Sequence, residues 1–388
     1  MIKTAKPADV GLDASRLGRL SSTIKNDIAA EKYDGAVFVV GRAGKIAMHE
    51  AIGFADRASG RMARTDDVFL IFSITKALTA AAVLIRVDRG ELSLTTKVAD
   101  IIPEFGCKGK QRITVAQLLS HTAGLSAGLP PIPFELIGDQ KTMVAAICQM
   151  GVEGIPGERV NYSPTVAHSI LGEIVCRVDG GTRPFREILG ADVFGPLQMN
   201  DTALGLRKDL APRRVPVVVR DRSEGIFPPE MLEAFNVIVK EDSEIPSASA
   251  FSTASDLFRF AEALRRGGEL DGTRILSPAI IRLATTNQTG MRRNSLWDFA
   301  LEMRGWEEFP AFLGLTFFLR GIGIFPHWFG NLTSPRTFGA VGAGSTVFWV
   351  DPERDLSFVC LTAGLVEETR NVERFQRLSD LVSAAVID

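Results

Sequence analysis

Two β-rich stretches stand near opposite ends of a chain of 388 residues, and the long run between them reads mostly as helix. The first, "GAVFVVGRAGKIAMHEAIGFAD" at 35–56, is two strand-like runs joined through Arg-Ala-Gly, a hairpin signature. The second begins as "STVFWV" at 345–350, turns at "DPERD" and returns as "LSFVCLTAG". A lone hairpin is at best marginally stable in water and needs further strands or helices against its apolar face. Two hairpins held apart by most of the chain meet that need by joining in one sheet. The pattern therefore predicts an α+β fold: an antiparallel sheet built from both chain ends and flanked by helices, with a mainly helical second domain. The expected boundaries are 1–70 together with 245–388 for the sheet domain and 71–244 for the helical one. A cleft between such units is a favoured ligand site.

The helices follow from periodicity. Leu17, Leu20, Ile24 and Ile28 recur at helical spacing and predict an amphipathic helix over about 13–31. After Ser73, "ITKALTAAAVLIRVDRG" is Ala- and Leu-rich and closes at Gly90. Further helices are expected in "TVAQLLSHTAGL", "KTMVAAICQM" and "SPTVAHSILGEIVCRV". The stretch "SASAFSTASDLFRFAEALRRGG" predicts a short strand, then a helix stopped by Gly267 and Gly268, and a last helix is expected over 371–386.

Several function classes are disfavoured by composition. Lys and Arg number 44 against 46 Asp and Glu, so no basic surplus or run invites nucleic acid. No stretch of about 18 apolar residues predicts a membrane span. The N-terminus "MIKTAKPADV" lacks the apolar run of a secretory signal, and the expected location is cytoplasmic. The four cysteines lack C-x-x-C pairing and the four histidines lack H-E-x-x-H spacing, so neither a metal nor another cofactor is expected. A Ser-His-Asp hydrolase is weakly supported, since the G-x-S-x-G match at Gly124–Gly128 falls in a turn- and Pro-rich stretch and not at a strand-to-helix turn.

A serine three residues before a lysine can be a nucleophile beside its base, or simply a helix N-cap followed by an exposed lysine. Ser-x-x-Lys occurs twice, at Ser22–Lys25 and at Ser73–Lys76. The first falls on the predicted surface helix, where polar neighbours at i and i+3 need no function. The second opens a helix, with apolar Phe72 and Ile74 beside the serine and an Ala-rich run behind. There Lys76 can reach the Ser73 oxygen, and burial favours its neutral, basic form. Tyr162, one of only two tyrosines, stands on a turn-rich loop before a helix and is a candidate for proton transfer or for simple packing. In "TFGAVGAGSTVFWVDP" glycines lead into a strand, where a main-chain N–H can face an oxyanion. Between Trp297 and Phe329 lie three of the four tryptophans and seven phenylalanines. That density suits core, a subunit interface or an apolar pocket wall, and leaves a homo-oligomer open.

Taken together and in order, "FSITKAL", "LLSHTAGL", "NYSPTVAHSILGEIV", "SAFSTASDLFRF" and "FGAVGAGSTVFWVDP" resemble the serine β-lactamase-like superfamily over roughly 34–362. Its members include class C β-lactamases, D-alanyl-D-alanine carboxypeptidases and family VIII carboxylesterases. The resemblance implies a β-lactamase-like fold with Ser73 as the acylated nucleophile, Lys76 as its partner and Tyr162 as the tyrosine of a Y-x-N element. The backbone N–H groups of Ser73 and Ala343 would form the oxyanion hole, with Gly342 beside them. Two departures bear on substrate. Pro164 stands where the family has the Asn of Y-x-N, and Ala340 where it has the Lys or His of the strand motif. Both changes remove polar handles that carboxylate-bearing substrates use. The expectation is a serine hydrolase of the carboxylesterase type acting on a small neutral or apolar ester or acyl substrate, with Pro164, Trp297 and Trp328 at the substrate. An acyltransferase, a β-lactamase or D-aminoacyl peptidase, and a catalytically silent binding protein are the alternatives. His121 is read as structural, at a helix end.

Overall fold

The computed structural model describes residues 2–387. Helix α1 (Ala14–Ala29) starts at Asp13, whose carboxylate accepts from Arg16 N at 2.9 Å. Strands β1 (Gly35–Arg42) and β2 (Lys45–Asp56) form the first hairpin, turning through Ala43 and Gly44, both in the left-handed region. Strand β3 (Arg61–Met62) extends it. The middle of the chain carries α2 (Thr75–Asp88) and α3 (Val166–Val178), which pack on each other, and then α4 (Ala254–Arg265). Strands β4 (Phe318–Leu319), β5 (Phe338–Gly342), β6 (Thr346–Asp351) and β7 (Leu356–Ala363) precede the last helix, α5 (Glu368–Ser383).

These strands make one seven-stranded antiparallel sheet in the order β3-β2-β1-β7-β6-β5-β4. The two chain ends meet in its middle, where β1 pairs with β7 from Gly35↔Ala363 to Arg42↔Leu356. Alternation along β1 feeds two cores. Val37 and Val39 join a core that includes Leu257, Phe258 and Phe260 of α4 and continues into the helical region. Ala36, Phe38 and Val40 join a second core with Leu17, Leu20 and Ile24 of α1 and Phe375 and Leu378 of α5. Helices thus cover both faces, and an uninterrupted buried run in an antiparallel strand has its explanation.

Helix α2 is buried from Thr75 to Arg86, so the Ala-rich sequence reflects close packing on every side. Two boundaries differ from expectation. The last helix begins at Glu368, three residues early, because the Glu367 carboxylate accepts from Thr369 N at 3.0 Å and Arg370 N at 3.1 Å. The helix in "TVAQLLSHTAGL" spans only Val115–Leu119, since His121 turns to a φ of 54°. Among the described residues no helix is long and apolar enough to cross a membrane.

Candidate active site

Ser73 sits in a single 3₁₀ turn, Phe72–Ile74, that runs directly into α2. The turn is held in a costly conformation. Phe72 has a φ of 43°, a left-handed geometry that charges a non-glycine residue roughly 1–2 kcal/mol. Close packing from the β5–β6 hairpin fixes it there. A Cβ on Gly342 would lie 2.4 Å from the Ile71 carbonyl oxygen, and one on Gly344 would lie 2.4 Å from the Phe72 ring. Glycine at both positions lets the hairpin press against the turn. Thr346 Oγ1 completes the tie by donating to Ile71 O at 3.2 Å.

One helical turn on, Lys76 points back at the serine. Its Nζ donates to Ser73 Oγ at 2.9 Å and to the Ser247 carbonyl at 3.0 Å. Lys76 is 2 % exposed and, among the described residues, has no carboxylate partner. Burial alone holds its pKa well below the usual lysine range, so the neutral amine is favoured. Its second acceptor comes from a turn anchored on the same helix, where Thr79 Oγ1 donates to Pro246 O at 2.6 Å.

Tyr162 closes the group from the helical side. Its hydroxyl shares a hydrogen bond with the Ser73 side chain, and its ring lies 5.2 Å from Lys76 Nζ. Burial raises the phenol's pKa, an effect that the Ser73 hydrogen bond opposes, so the hydroxyl stays protonated near neutral pH. The loop carrying it is clamped on both sides of the ring. His121 stacks on the ring at 4.3 Å and accepts from Ser163 N at 3.1 Å through Nδ1, so its Nε2 bears the hydrogen. Burial lowers the His121 pKa to about 3. The Tyr162 backbone N–H donates to Asn294 Oδ1 at 3.1 Å.

Ser73 opens into a pocket with about 530 Å³ of empty space. Tyr162, Val341, Gly342 and Ala343 line it near the serine. Trp297, Trp328 and Phe318 form its aromatic wall, with Trp297–Trp328 centroids 5.1 Å apart and Phe318–Trp328 centroids 4.9 Å apart. Strand β5 pairs with β4 only at Phe338 and Gly339, so its edge from Ala340 onward carries no partner strand. Ile226 and Phe227 complete the wall with Asn294, Asn371 and Glu368. Burial pushes the Glu368 carboxyl up to about 8, leaving it mostly uncharged at neutral pH.

Of the residues singled out from sequence, the structure brings together Ser73, Lys76, Tyr162, Gly342, Ala343, Trp297 and Trp328. Pro164 is half-buried and not on the pocket wall, because the chain turns into α3 immediately after Tyr162. Ala340 is buried in the core on the α4 side of the sheet, and its neighbour Val341 lines the pocket instead. Sequence reasoning missed the Ser247 carbonyl, Asn294, Glu368 and Asn371, while Phe318 belongs to the aromatic stretch it had marked as core, interface or pocket wall. Only Asn294 had a local signal, as an Asn-Ser pair at a helical start, where its Oδ1 accepts from Leu296 N at 3.2 Å. Among the described residues no group of three or more His, Cys, Asp or Glu side chains is arranged to hold a metal ion.

Known proteins share this arrangement of chain. A family model described as Beta-lactamase matches residues 20–382. The esterase EstB of Burkholderia gladioli is 30% identical over 296 residues, covering 67% of this chain and 73% of its own. The esterase/beta-lactamase LipL of Mycobacterium tuberculosis is 28% identical over 331 residues, covering 79% and 71%. A crystal structure of a penicillin-binding protein homolog from Caulobacter crescentus is 27% identical, with a TM-score of 0.79 over 97% of this chain and 99% of that one.

Proposed function

The chain belongs to the beta-lactamase family, a hydrolytic one, and from that premise we propose that it is a serine carboxylesterase acting on neutral or apolar esters. Neutral Lys76 takes the Ser73 hydroxyl proton as Oγ attacks the ester carbonyl carbon. The carbonyl oxygen becomes an oxyanion facing the backbone N–H groups of Ser73 and Ala343. As the tetrahedral centre collapses, a proton reaches the departing alcohol oxygen through the Tyr162 hydroxyl, and the C–O bond breaks. Ser73 is then acylated. Water attacks the acyl carbon while giving a proton to the same Lys76–Tyr162 pair, and the acid leaves as Ser73 regains its hydrogen.

The protonation preferences divide the roles. Lysine buried without a counter-ion favours its basic form, whereas the buried phenol favours its acid form. Lys76 is therefore the base, and Tyr162 relays the proton.

The observation that carries the ester reading is the pocket wall. Its lining is mainly apolar, and no lysine or arginine is on it. A substrate carboxylate brought there would lose water without gaining a cation, which costs several kcal/mol. A neutral acyl group instead gains from aromatic burial at roughly 25 cal/mol per Å².

Two measurements test this. Intact-mass spectrometry after a serine-reactive phosphonate should give one adduct, absent in Ser73→Ala. The kcat/KM for a short-chain neutral aryl ester should exceed that for a penicillin by at least about 100-fold. Equal efficiency on both substrates overturns the ester reading, and a phosphonate that leaves Ser73 unlabelled overturns the nucleophile.

A further inference from the structure

Asn294 is only 4 % exposed, yet it lines the pocket into which Ser73 opens. Its amide has one orientation. Both the Tyr162 N–H at 3.1 Å and the Leu296 N–H at 3.2 Å point at the same side-chain atom. Backbone N–H groups only donate, so that atom must be the oxygen. The remaining end, Nδ2, carries two N–H donors, and among the described residues none accepts a hydrogen bond from it. Nδ2 is not among the sealed, unpaired polar atoms, so it reaches the pocket and its donors are free for whatever enters there.

Its position gives that spare capacity a use. Asn294 grips the backbone of Tyr162, whose hydroxyl meets Ser73, so one tyrosine side chain separates the two. That separation matches an acyl chain running from the scissile carbonyl along the pocket. On the Tyr162 loop itself, Asn161 already donates to the Leu125 carbonyl at 3.1 Å and accepts from Ser295 Oγ at 3.1 Å, and Pro164 has no amide to offer. The pocket wall is mainly aromatic at Trp297, Phe318 and Trp328, and neither Glu368 nor Asn371 in the same lining is a hydrogen-bond partner of Nδ2.

We propose that Asn294 is a specificity-determining residue whose Nδ2 donates to a neutral acceptor oxygen in the substrate's acyl chain, making oxygenated acyl esters the preferred substrate class. The acceptor is an ether, ketone or amide oxygen, one to three bonds beyond the scissile carbonyl. Simple alkanoyl esters fill the same volume but leave Nδ2 unpaired. A site built to donate discriminates against an analogue lacking the acceptor more strongly than an apolar wall discriminates by size. This inference rests on the serine-esterase reading, in which the acyl chain of a Ser73 acyl-enzyme occupies this pocket.

The test uses the full-length protein and aryl esters matched in length: the pentanoate, the 3-methoxypropanoate and the ethoxyacetate. Each kcat/KM is divided by the ester's own hydroxide-catalysed rate. Wild type should then favour at least one of the two ether esters over the pentanoate by about fivefold or more. Asn294→Asp keeps an oxygen for the Tyr162 and Leu296 N–H groups but replaces the two donors with an acceptor. Whatever it does to the rate common to all three esters, it should lower that ether-to-alkyl ratio about tenfold. A role confined to holding the Tyr162 loop would leave the ratio unmoved, so a change under threefold overturns the proposal. No ether preference in wild type overturns it as well, without any variant. Both of these failures leave Ser73 labelled by phosphonate and the pentanoate hydrolysed. Loss of the esterase reading is different, since then wild type hydrolyses none of the esters.

Discussion

Ser22 and Ser73 each stand three residues before a lysine, and the protein puts the two pairs in opposite surroundings. Ser22 lies within α1, exposed, with its hydroxyl turned back to the Gly18 carbonyl at 3.1 Å. Lys25 points to solvent. Ser73 lies ahead of its helix, on a turn strained at Phe72, and Lys76 is buried against it. Spacing is common to both; burial and backbone geometry are not. A lysine in water keeps its charge and cannot act as a base at neutral pH, whereas a desolvated one can. The difference shows that the reactive feature is the environment imposed by α2 and the β5–β6 hairpin, with the tetrad only the material for it.

Exchanging residues between the two pairs breaks or sharpens that contrast. Ser73→Ala should cut kcat on a short-chain aryl ester by roughly 10⁴-fold or more, while Ser22→Ala changes it less than about twofold. Equal effects would dissolve the distinction. Lys76→Met should lower kcat by roughly 10³-fold, within the usual range for a positioned base. The same variant should melt at a higher temperature than wild type, because it removes an ionisable group held in a dry site. The sign of the pH dependence follows from the lowered lysine pKa. The unfolded chain binds a proton that the folded lysine gives up, so wild-type stability falls as pH drops from lysine's ordinary value toward the folded one. The stability gap to Lys76→Met therefore widens on acidification, as calorimetry across pH can follow. Lys25→Met should show neither effect.

Tyr162→Phe should reduce kcat by about 10²-fold on an ester with a poor leaving alcohol, and by less on an activated aryl ester that needs no proton on departure. A loss independent of the leaving group would assign the ring to packing under His121. The smallest expected effect is the pH profile itself. Below the folded pKa of Lys76, kcat/KM should rise about tenfold per pH unit, then level off well under lysine's ordinary value of about 10.4. A limb centred near 10 would contradict a buried, neutral amine.

The contrast also marks what a reader of sequence can reach. The sheet from both ends was legible because β-rich apolar runs and the turns that join them are local signals. Ser73 could be told from Ser22 through its apolar neighbours. Asn294 showed locally only as a helix start, and its tie to the Tyr162 loop was hidden because the backbone N–H it accepts from lies 132 residues away. The Ser247 carbonyl that shares Lys76 lies 171 residues away, and main-chain acceptors have no residue type to betray them. Pro164 illustrates the opposite error: its match to the Asn position of a Y-x-N element suggested the pocket, but the approach to α3 carries it elsewhere. Strain at Phe72 was equally hidden, because nothing about phenylalanine announces a positive φ.

The pairing of β1 with β7 has a consequence for how the chain acquires its structure in time. During synthesis β1 and β2 emerge early and can form their hairpin, yet one whole edge of β1 must wait for residues near the end of the chain. Until β7 arrives, that edge of β1 has no partner, and its row of unpaired N–H and C=O groups is a template for any passing strand. Closure of so large a loop carries an entropic charge that no local contact offsets in advance, which slows the final step. The nascent chain thus spends most of its synthesis as a folded or folding helical middle attached to an unfinished sheet. During that interval it depends on chaperones or on speed, and truncations near the end expose the oldest part of the molecule.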